Sequence, residues 1–254
     1  MRLLKAFALA TTLLVAGPAL AADEGHGTEL PSGNFSFDGV FGTFDRASAQ
    51  RGFQVYKEVC SNCHSMRLMS YRNLLDIGLS EAQVRDIAAT VQIPDGPNDE
   101  GAMFERAGRV SDHFRRPFAN DQAARSANGG ALPPDLSVIT KAREGGADYV
   151  HALLTGYSDP PAGVTIMEGL HYNRWFPGHQ IAMAPPLSDG QVQYTDGTAT
   201  SVDQMAHDVA TFLTWAAEPE LEVRRAMGVK ILIFLAILAG LAYATKRKVW
   251  ANAH

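Results

Sequence analysis

The run Cys60-Ser61-Asn62-Cys63-His64 constrains this chain more than any other feature, because it holds both of the chain's cysteines and places a histidine directly after the second. Two thiols separated by two residues match the two vinyl groups of a haem, to which they add as thioethers. The adjacent imidazole then lies under the ring as an axial iron ligand. Other uses of the motif compete poorly. A structural disulfide has no need of His64. A thioredoxin-like redox pair follows a strand in a βαβ unit, whereas residues 51–59 read as helix. A zinc site needs two further ligands, and no second cysteine pair exists. The motif predicts one covalently attached haem c, with Cys60 and Cys63 as attachment points and His64 as a metal ligand.

The two ends of the chain predict its address. Residues 1–21 have the pattern of a cleaved secretory signal: Arg2 and Lys5, a short apolar core at 9–15, then Pro18 and the small-residue site Ala19-Leu20-Ala21. Export agrees with thioether formation on the oxidising side of a membrane. Residues 227–245 are apolar apart from Lys230, close to the roughly 20 residues a bilayer requires. Lys230 can snorkel to the interface. Lys246, Arg247, Lys248 and Trp250 follow at once, and the positive-inside rule places them in the cytoplasm. The expected organisation is a signal at 1–21, a periplasmic haem domain at 22–223, a transmembrane anchor at 224–245 and a cytoplasmic tail at 246–254. The protein would be single-pass in a bacterial inner membrane. Residues 22–223 carry 14 Lys and Arg against 27 Asp and Glu, a net charge of −13 without the haem. That balance argues against nucleic acid and for a basic protein partner, attracted over a Debye length of about 8–10 Å.

The fold class expected is mainly α, with long loops. Residues 46–59 form a plausible helix delivering the haem motif, with Phe53, Tyr56 and Val59 on its apolar side. Ser80-Glu81-Ala82-Gln83 is a capping box opening a helix to about Thr90. Residues 147–154 suit a short amphipathic helix. Ser201-Val202-Asp203-Gln204 is a second capping box, opening a helix with Val202, Met205, Val209, Phe212, Leu213 and Ala216 on one face. Strand signals are weak, and only residues 191–194, followed by Thr195-Asp196-Gly197, suggest a hairpin. Loops this long need something to pack on, and a haem supplies a large apolar surface.

A carrier of electrons needs a second axial ligand. Met66 and Met69 are too close to His64 to reach the opposite face, and Met205 and Met227 sit on apolar helix faces. Met103 and Met167 lie in loops and stay possible. Met183 is the best candidate, since Ala182-Met183-Ala184-Pro185-Pro186 is a loop stiffened by two prolines. His179 and then His171 are the alternatives. Met/His ligation raises the potential relative to bis-His.

The chain resembles the cytochrome c1 family, the haem subunits of quinol–cytochrome c oxidoreductase (cytochrome bc1) complexes. The resemblance is carried by Cys60 to His64 with Ser65-Met66-Arg67 and Tyr71-Arg72, by Asp95-Gly96-Pro97-Asn98, and by Asn128-Gly129-Gly130-Ala131-Leu132-Pro133-Pro134-Asp135-Leu136-Ser137. It continues through Ala142-Arg143, Asp148-Tyr149-Val150, Leu154-Thr155-Gly156-Tyr157, the Met183 loop and Phe212-Leu213-Thr214-Trp215-Ala216-Ala217-Glu218-Pro219-Glu220. It implies a class I cytochrome c-like haem domain with extra loops and one C-terminal transmembrane helix. It implies His64 and Met183 as axial ligands, Pro133, Pro134, Leu136 and Ile139 lining the haem, and Arg143, Asn128 and Tyr149 at the propionates. The implied function is electron transfer from the Rieske iron–sulfur protein to a soluble or anchored cytochrome c, within a membrane complex that contains cytochrome b, in a respiratory or photosynthetic chain. Some members carry an extra disulfide, for which this chain has no spare cysteine; the β-branched Ile181, two residues before Met183, is expected to help hold the ligand loop instead. Asp95, Asp99, Glu100 and Glu105 are either a docking field for a basic cytochrome c or an ordinary solvated loop. Two rival functions are a haem enzyme or gas sensor with an open sixth position, and a free membrane-anchored shuttle, which the long loops disfavour.

Overall fold

The computed structural model describes residues 29–251. The expected signal at 1–21 and the last three residues of the tail lie outside the described residues. Helix α1 (Arg46–Glu58) begins at Asp45, whose carboxylate accepts the Ala47 and Ser48 N–H groups and so satisfies two of the donors every helix start leaves open. Its buried face packs across α5 (Val202–Ala217). Backbone meets backbone at the crossing: a Cβ on Gly52 would lie 2.0 Å from the Asp208 carbonyl oxygen and 2.7 Å from Phe212 Cβ. Beside it the fully buried Asp208 accepts from Ser48 Oγ at 2.7 Å and from Arg51 Nε and Nη2, each at 2.9 Å. Phe212 stacks among Phe53, Tyr56 and Trp215 at centroid distances of 5.6, 5.8 and 5.7 Å, the separation aromatic pairs prefer.

The other helices surround this pair. Helix α2 (Glu81–Ala89) starts with the full reciprocal capping box of Ser80 and Gln83. At α5 only one arm of the expected box forms, with Ser201 Oγ accepting the Gln204 N–H at 3.2 Å. Helix α3 (Asp121–Ala127) and a 3₁₀ helix at Tyr71–Ile77 were not expected. Helix α4 (Gly146–Thr155) packs on α5 and follows Gly145, whose φ of +80° needs glycine.

Two small antiparallel sheets complete the head, the part of the described chain before α6 (Leu221–Val249): β1 (Gln92–Asp95) with β2 (Phe104–Ala107), and β3 (His171–Tyr172) with β4 (Gln180–Ile181). The hairpin expected at 191–194 does not form. There the backbone engages side chains instead of a strand: Gln54 Nε2 donates to the Gln193 carbonyl at 3.0 Å, Val192 is fully buried, and Arg51 stacks over Tyr194 at 5.7 Å.

Helix α6 (Leu221–Val249) is joined to α5 by only Glu218-Pro219-Glu220. Glu218 is gripped by Lys141 at 3.1 Å and by Arg224. Leu221 is buried in the head, and Glu222 accepts the Phe44 N–H at 2.7 Å and pairs with Arg46 at 2.8 Å. Among the described residues α6 is the one helix long and apolar enough to cross a membrane; 29 residues extend about 43 Å.

Candidate haem-binding site

After α1 the chain tightens into a 3₁₀ turn, Cys60–Asn62, and the Cys63 and His64 N–H groups both donate to the Cys60 carbonyl, at 3.1 and 2.9 Å. The two spacer residues cap the helix that delivers the motif. Ser61 Oγ donates to the Lys57 carbonyl at 2.7 Å, and Asn62 Nδ2 donates to those of Glu58 and Val59 at 3.2 and 3.1 Å, satisfying the carbonyls a helix end leaves open. Both thiols are free; Cys60 is half-buried against the core and Cys63 is exposed. Burial pushes the Cys60 thiol up to about 12, the opposite of the lowered value in a redox pair.

His64 Nδ1 lies 2.8 Å from the Pro134 carbonyl oxygen. A carbonyl can only accept, so Nδ1 carries the hydrogen and Nε2 keeps its lone pair for a metal. Burial lowers the pKa of the ring and favours the neutral form a ligand requires. The Pro134 carbonyl is itself held in place. The Leu136 N–H donates to the Ser65 carbonyl at 2.8 Å. Asp135 Oδ2 accepts from Ser65 Oγ at 2.7 Å, the Arg67 N–H at 2.9 Å and Arg67 Nε at 3.2 Å, while Oδ1 accepts the Ser137 N–H at 3.0 Å. Burial pushes the Asp135 carboxyl up, but the hydrogen bonds from Ser137, Arg67 and Ser65 outweigh it and hold the group below its ordinary value. Pro133 and Pro134 line a cleft with Cys63, Arg67, Phe118 and Leu132. Leu136 and Ile139 are buried in the core.

Met183 stands on a second framework. Its carbonyl accepts from Tyr157 Oη at 3.0 Å. Burial, reinforced by Tyr149, pushes the Tyr157 phenol up, so it stays a donor. Tyr157 forms an antiparallel bridge with Asn173, which is completely buried and hydrogen-bonded through both its amide nitrogen and its oxygen. Asn173 Nδ2 donates to the Leu153 carbonyl at 2.7 Å, and Oδ1 accepts the Trp175 and Phe176 N–H groups at 3.0 and 3.2 Å. Gly156 is needed here, because a Cβ would come within 2.4 Å of Trp175 Cδ1. Ile181 is buried in β4 opposite His171, and Leu187 packs on the core, so the Met183 loop is fastened at both ends. Met183 is half-buried, whereas Met103 and Met167 are 67% and 64% exposed. His179 is exposed with a φ of +60°, and its Nδ1 lies 3.4 Å from the Asn173 carbonyl of its own turn.

Of the residues expected at the propionates, Arg143 precedes α4, Tyr149 lies in it and Asn128 ends α3. Arg143 is exposed, and Nη1 donates to the Ala142 carbonyl at 2.9 Å. Burial raises the Tyr149 phenol, and the Arg143 charge acts in the opposite sense. Asn128 caps α3, with Nδ2 donating to the Ala124 carbonyl at 2.7 Å. Of the acidic loop, Asp95 is paired with Arg106, which also grips Asp112 at 2.6 Å and holds its carboxyl down at about 2. Asp99, Glu100 and Glu105 are exposed.

The structure thus brings Cys60, Cys63, His64, Pro133, Pro134 and Leu136 together around one turn, and Met183 with Tyr157 on another. Residue-by-residue reading missed Ser61, Asn62, Ser65, Asp135, Tyr157 and Asn173. The Asp135–Ser137 turn had a signal, since an Asp side chain readily accepts the N–H two residues on. The donor set fits a c-type haem: two spaced thiols, a neutral imidazole with Nε2 available, and a thioether on a fastened loop. Among the described residues no group of three His, Cys, Asp or Glu side chains is placed to hold a metal ion by itself.

Residues 35–253 match the model of the Cytochrome C1 family. The mitochondrial cytochrome c1-2, heme protein of Solanum tuberosum is 53% identical over 91% of this chain and 89% of its own length. Cytochrome c1 of Rhodospirillum rubrum is 45% identical over 98% of this chain and 97% of its own. Cytochrome b/c1 of Bradyrhizobium diazoefficiens is 50% identical over 98% of this chain, which spans 41% of that longer protein.

Proposed function

The chain belongs to the cytochrome C1 family, and we propose that it is the haem-bearing electron-transfer subunit of a cytochrome bc1 complex. It takes one electron at a time from the Rieske iron–sulfur protein and passes each to a soluble or anchored cytochrome c, in a respiratory or photosynthetic chain. Cytochrome b is its other partner in the membrane. The relative whose name joins cytochrome b to c1 supports that association. Helix α6 anchors the protein in a bacterial inner membrane, with residues 22–223 in the periplasm and 246–254 in the cytoplasm.

The observation that carries this reading is the His64–Pro134 hydrogen bond, because it prepares a histidine directly after two spaced thiols as a neutral Nε2 ligand. Cys60 and Cys63 would hold one haem c, and His64 and Met183 would ligate its iron. When bound, it supplies a one-electron iron couple. The chain's residues bind, shield and orient it. Pro133, Pro134, Leu136 and Ile139 exclude water from the ring. Arg143 offers a planar fork to a propionate, beside Tyr149, and Asn128 has a second Nδ2 hydrogen beyond the one given to Ala124. No bond is made or broken, so no general acid or nucleophile is required. Asp99, Glu100 and Glu105 give a basic cytochrome c an attractive field that acts on association rate and weakens with salt.

The test is purification of the tagged full chain from its membranes. Co-purification with cytochrome b and the Rieske protein, a covalent c-type haem in the pyridine haemochrome spectrum, and its loss in Cys60→Ala/Cys63→Ala are expected. A double variant with full covalent haem would overturn the reading. Carbon monoxide binding to the reduced parent would favour an open-site haem enzyme instead.

A further inference from the structure

Four residues of the head, Gly39-Val40-Phe41-Gly42, form a lobe whose only side chains are apolar and exposed: Val40 is 70% and Phe41 83% accessible. The lobe is built rather than loose. Its base is closed by the Thr43 N–H donating to the Ser36 carbonyl at 3.1 Å, and Gly42 approaches Asp38 so closely that a Cβ would lie 2.2 Å from the Asp38 carbonyl oxygen. The exposed Asp38 just before the lobe has one carboxylate oxygen engaged, Oδ2 accepting the Phe35 N–H at 2.9 Å.

The lobe is fastened to the anchor. Arg225 of α6 donates through Nη1 to the Phe37 and Gly42 carbonyls, at 2.7 and 2.6 Å, so it grips the chain just before the lobe and at the lobe's last residue. Arg225 precedes the apolar run that starts at Met227 by two residues, about 3 Å along a helix. A guanidinium at that level ordinarily reaches into the headgroups. Here it is turned to the carbonyls of the lobe segment instead.

We propose that Val40 and Phe41 enter the interfacial layer of the outer leaflet and give the head a second contact with the lipid. This rests on α6 being the membrane anchor. The size of the patch selects lipid over protein. A stable protein interface takes about 20–30 residues a side, whereas contact with the lipid interface scales with the apolar area inserted and adds to the hold the anchor already provides. The flanking glycines present no polar side chain that a protein partner could pair with.

Nitroxide accessibility tests this in the full complex in phosphatidylcholine nanodiscs. Cys60 and Cys63 are consumed by the haem, so the parent should take no label, and a single cysteine can be placed at Phe41→Cys, at Leu232→Cys in α6 and at Met103→Cys in the β1–β2 loop. Expected is an oxygen-to-nickel accessibility ratio at position 41 several-fold above that at 103, and on the side of that at 232. A ratio at 41 equal to that at 103, with 232 in lipid, would place the lobe in water and overturn the proposal while leaving the anchor standing. Protection of position 41 from both reagents would overturn it too, showing a protein cover. A water-like ratio at 232 would overturn anchor and lobe together.

Discussion

His64 Nδ1 donates to the carbonyl oxygen of Pro134 across 70 residues of sequence. The bond orients the imidazole before any metal is considered, and its strength depends on a third residue, Asp135, whose carboxylate ties the Pro134 turn to the chain just after His64.

Asp135→Asn removes the charge and turns an amide donor toward Ser65 and the Arg67 N–H. Hydrogen bonds to a charged group contribute about 1.5–3 kcal/mol, so a loss of about 1–3 kcal/mol in unfolding free energy is expected by denaturant titration. The sign with pH follows from the carboxyl being held below its unfolded value. The stabilisation is present above about pH 3.9 and is lost as pH falls through the folded value. The variant should lack that acid-sensitive part.

Met183→Leu keeps volume and apolarity while deleting the sulfur. Covalent haem should be retained, and the midpoint potential should fall by hundreds of millivolts, on the order of the range that axial ligands set. Quinol-dependent cytochrome c reduction should collapse with it. Met103→Leu and Met167→Leu are matched controls in exposed loops and should titrate like the parent. A parental potential in Met183→Leu would remove the ligand assignment.

Gly52→Ala places a methyl group 2.0 Å from the Asp208 carbonyl oxygen. The helices must part, which strains the buried Ser48–Asp208–Arg51 cluster. The expected cost is about 3 kcal/mol or more, visible as a lower melting temperature and a reduced yield of haem-loaded protein. Unchanged melting would show that the crossing is looser than its geometry.

His207 stacks on Phe35 at a centroid distance of 4.6 Å, with His151 edge-on at 6.3 Å. Burial lowers its pKa, against the attraction of Asp208 and Asp203 and together with the repulsion of His151 and Arg51. The unfolded state therefore binds the proton first, at about pH 6.5, and stability declines as pH falls below that point. His207→Phe keeps the stacking and removes the titration. The drop in melting temperature between pH 7.5 and pH 5.5 should shrink; an unchanged drop would assign it to other groups.

What could be read in advance follows the range of the interactions. Helices α2 and α5 announce themselves through local caps, α1 and α4 through an apolar side, and the haem motif is five consecutive residues. Helix α3 has seven residues and a single buried side chain, Ala124, so it carries no stripe to detect. The run at 191–194 alternates like a strand, yet its partners are side chains of α1 contributed from far along the sequence. The hold on Met183 was the least legible part. It depends on Tyr157, Gly156 and Asn173 meeting across a bridge, and nothing local to the Met183 loop encodes those encounters. Alternatives to Met183 accordingly stayed open until the family was considered.

The three-residue joint between α5 and α6 spans at most about 10 Å fully extended, and it is stitched on both sides through Glu218 and Glu222. These contacts join the head to the first turn of α6. Helix α5 lies against the helix that carries the haem turn, so the tilt of the anchor sets the bearing of the redox centre. If the head carries electrons as proposed, any gap to its donor or acceptor is left to the visiting protein to close, and a graft of this head onto a flexible tether should keep its spectrum while losing its timetable.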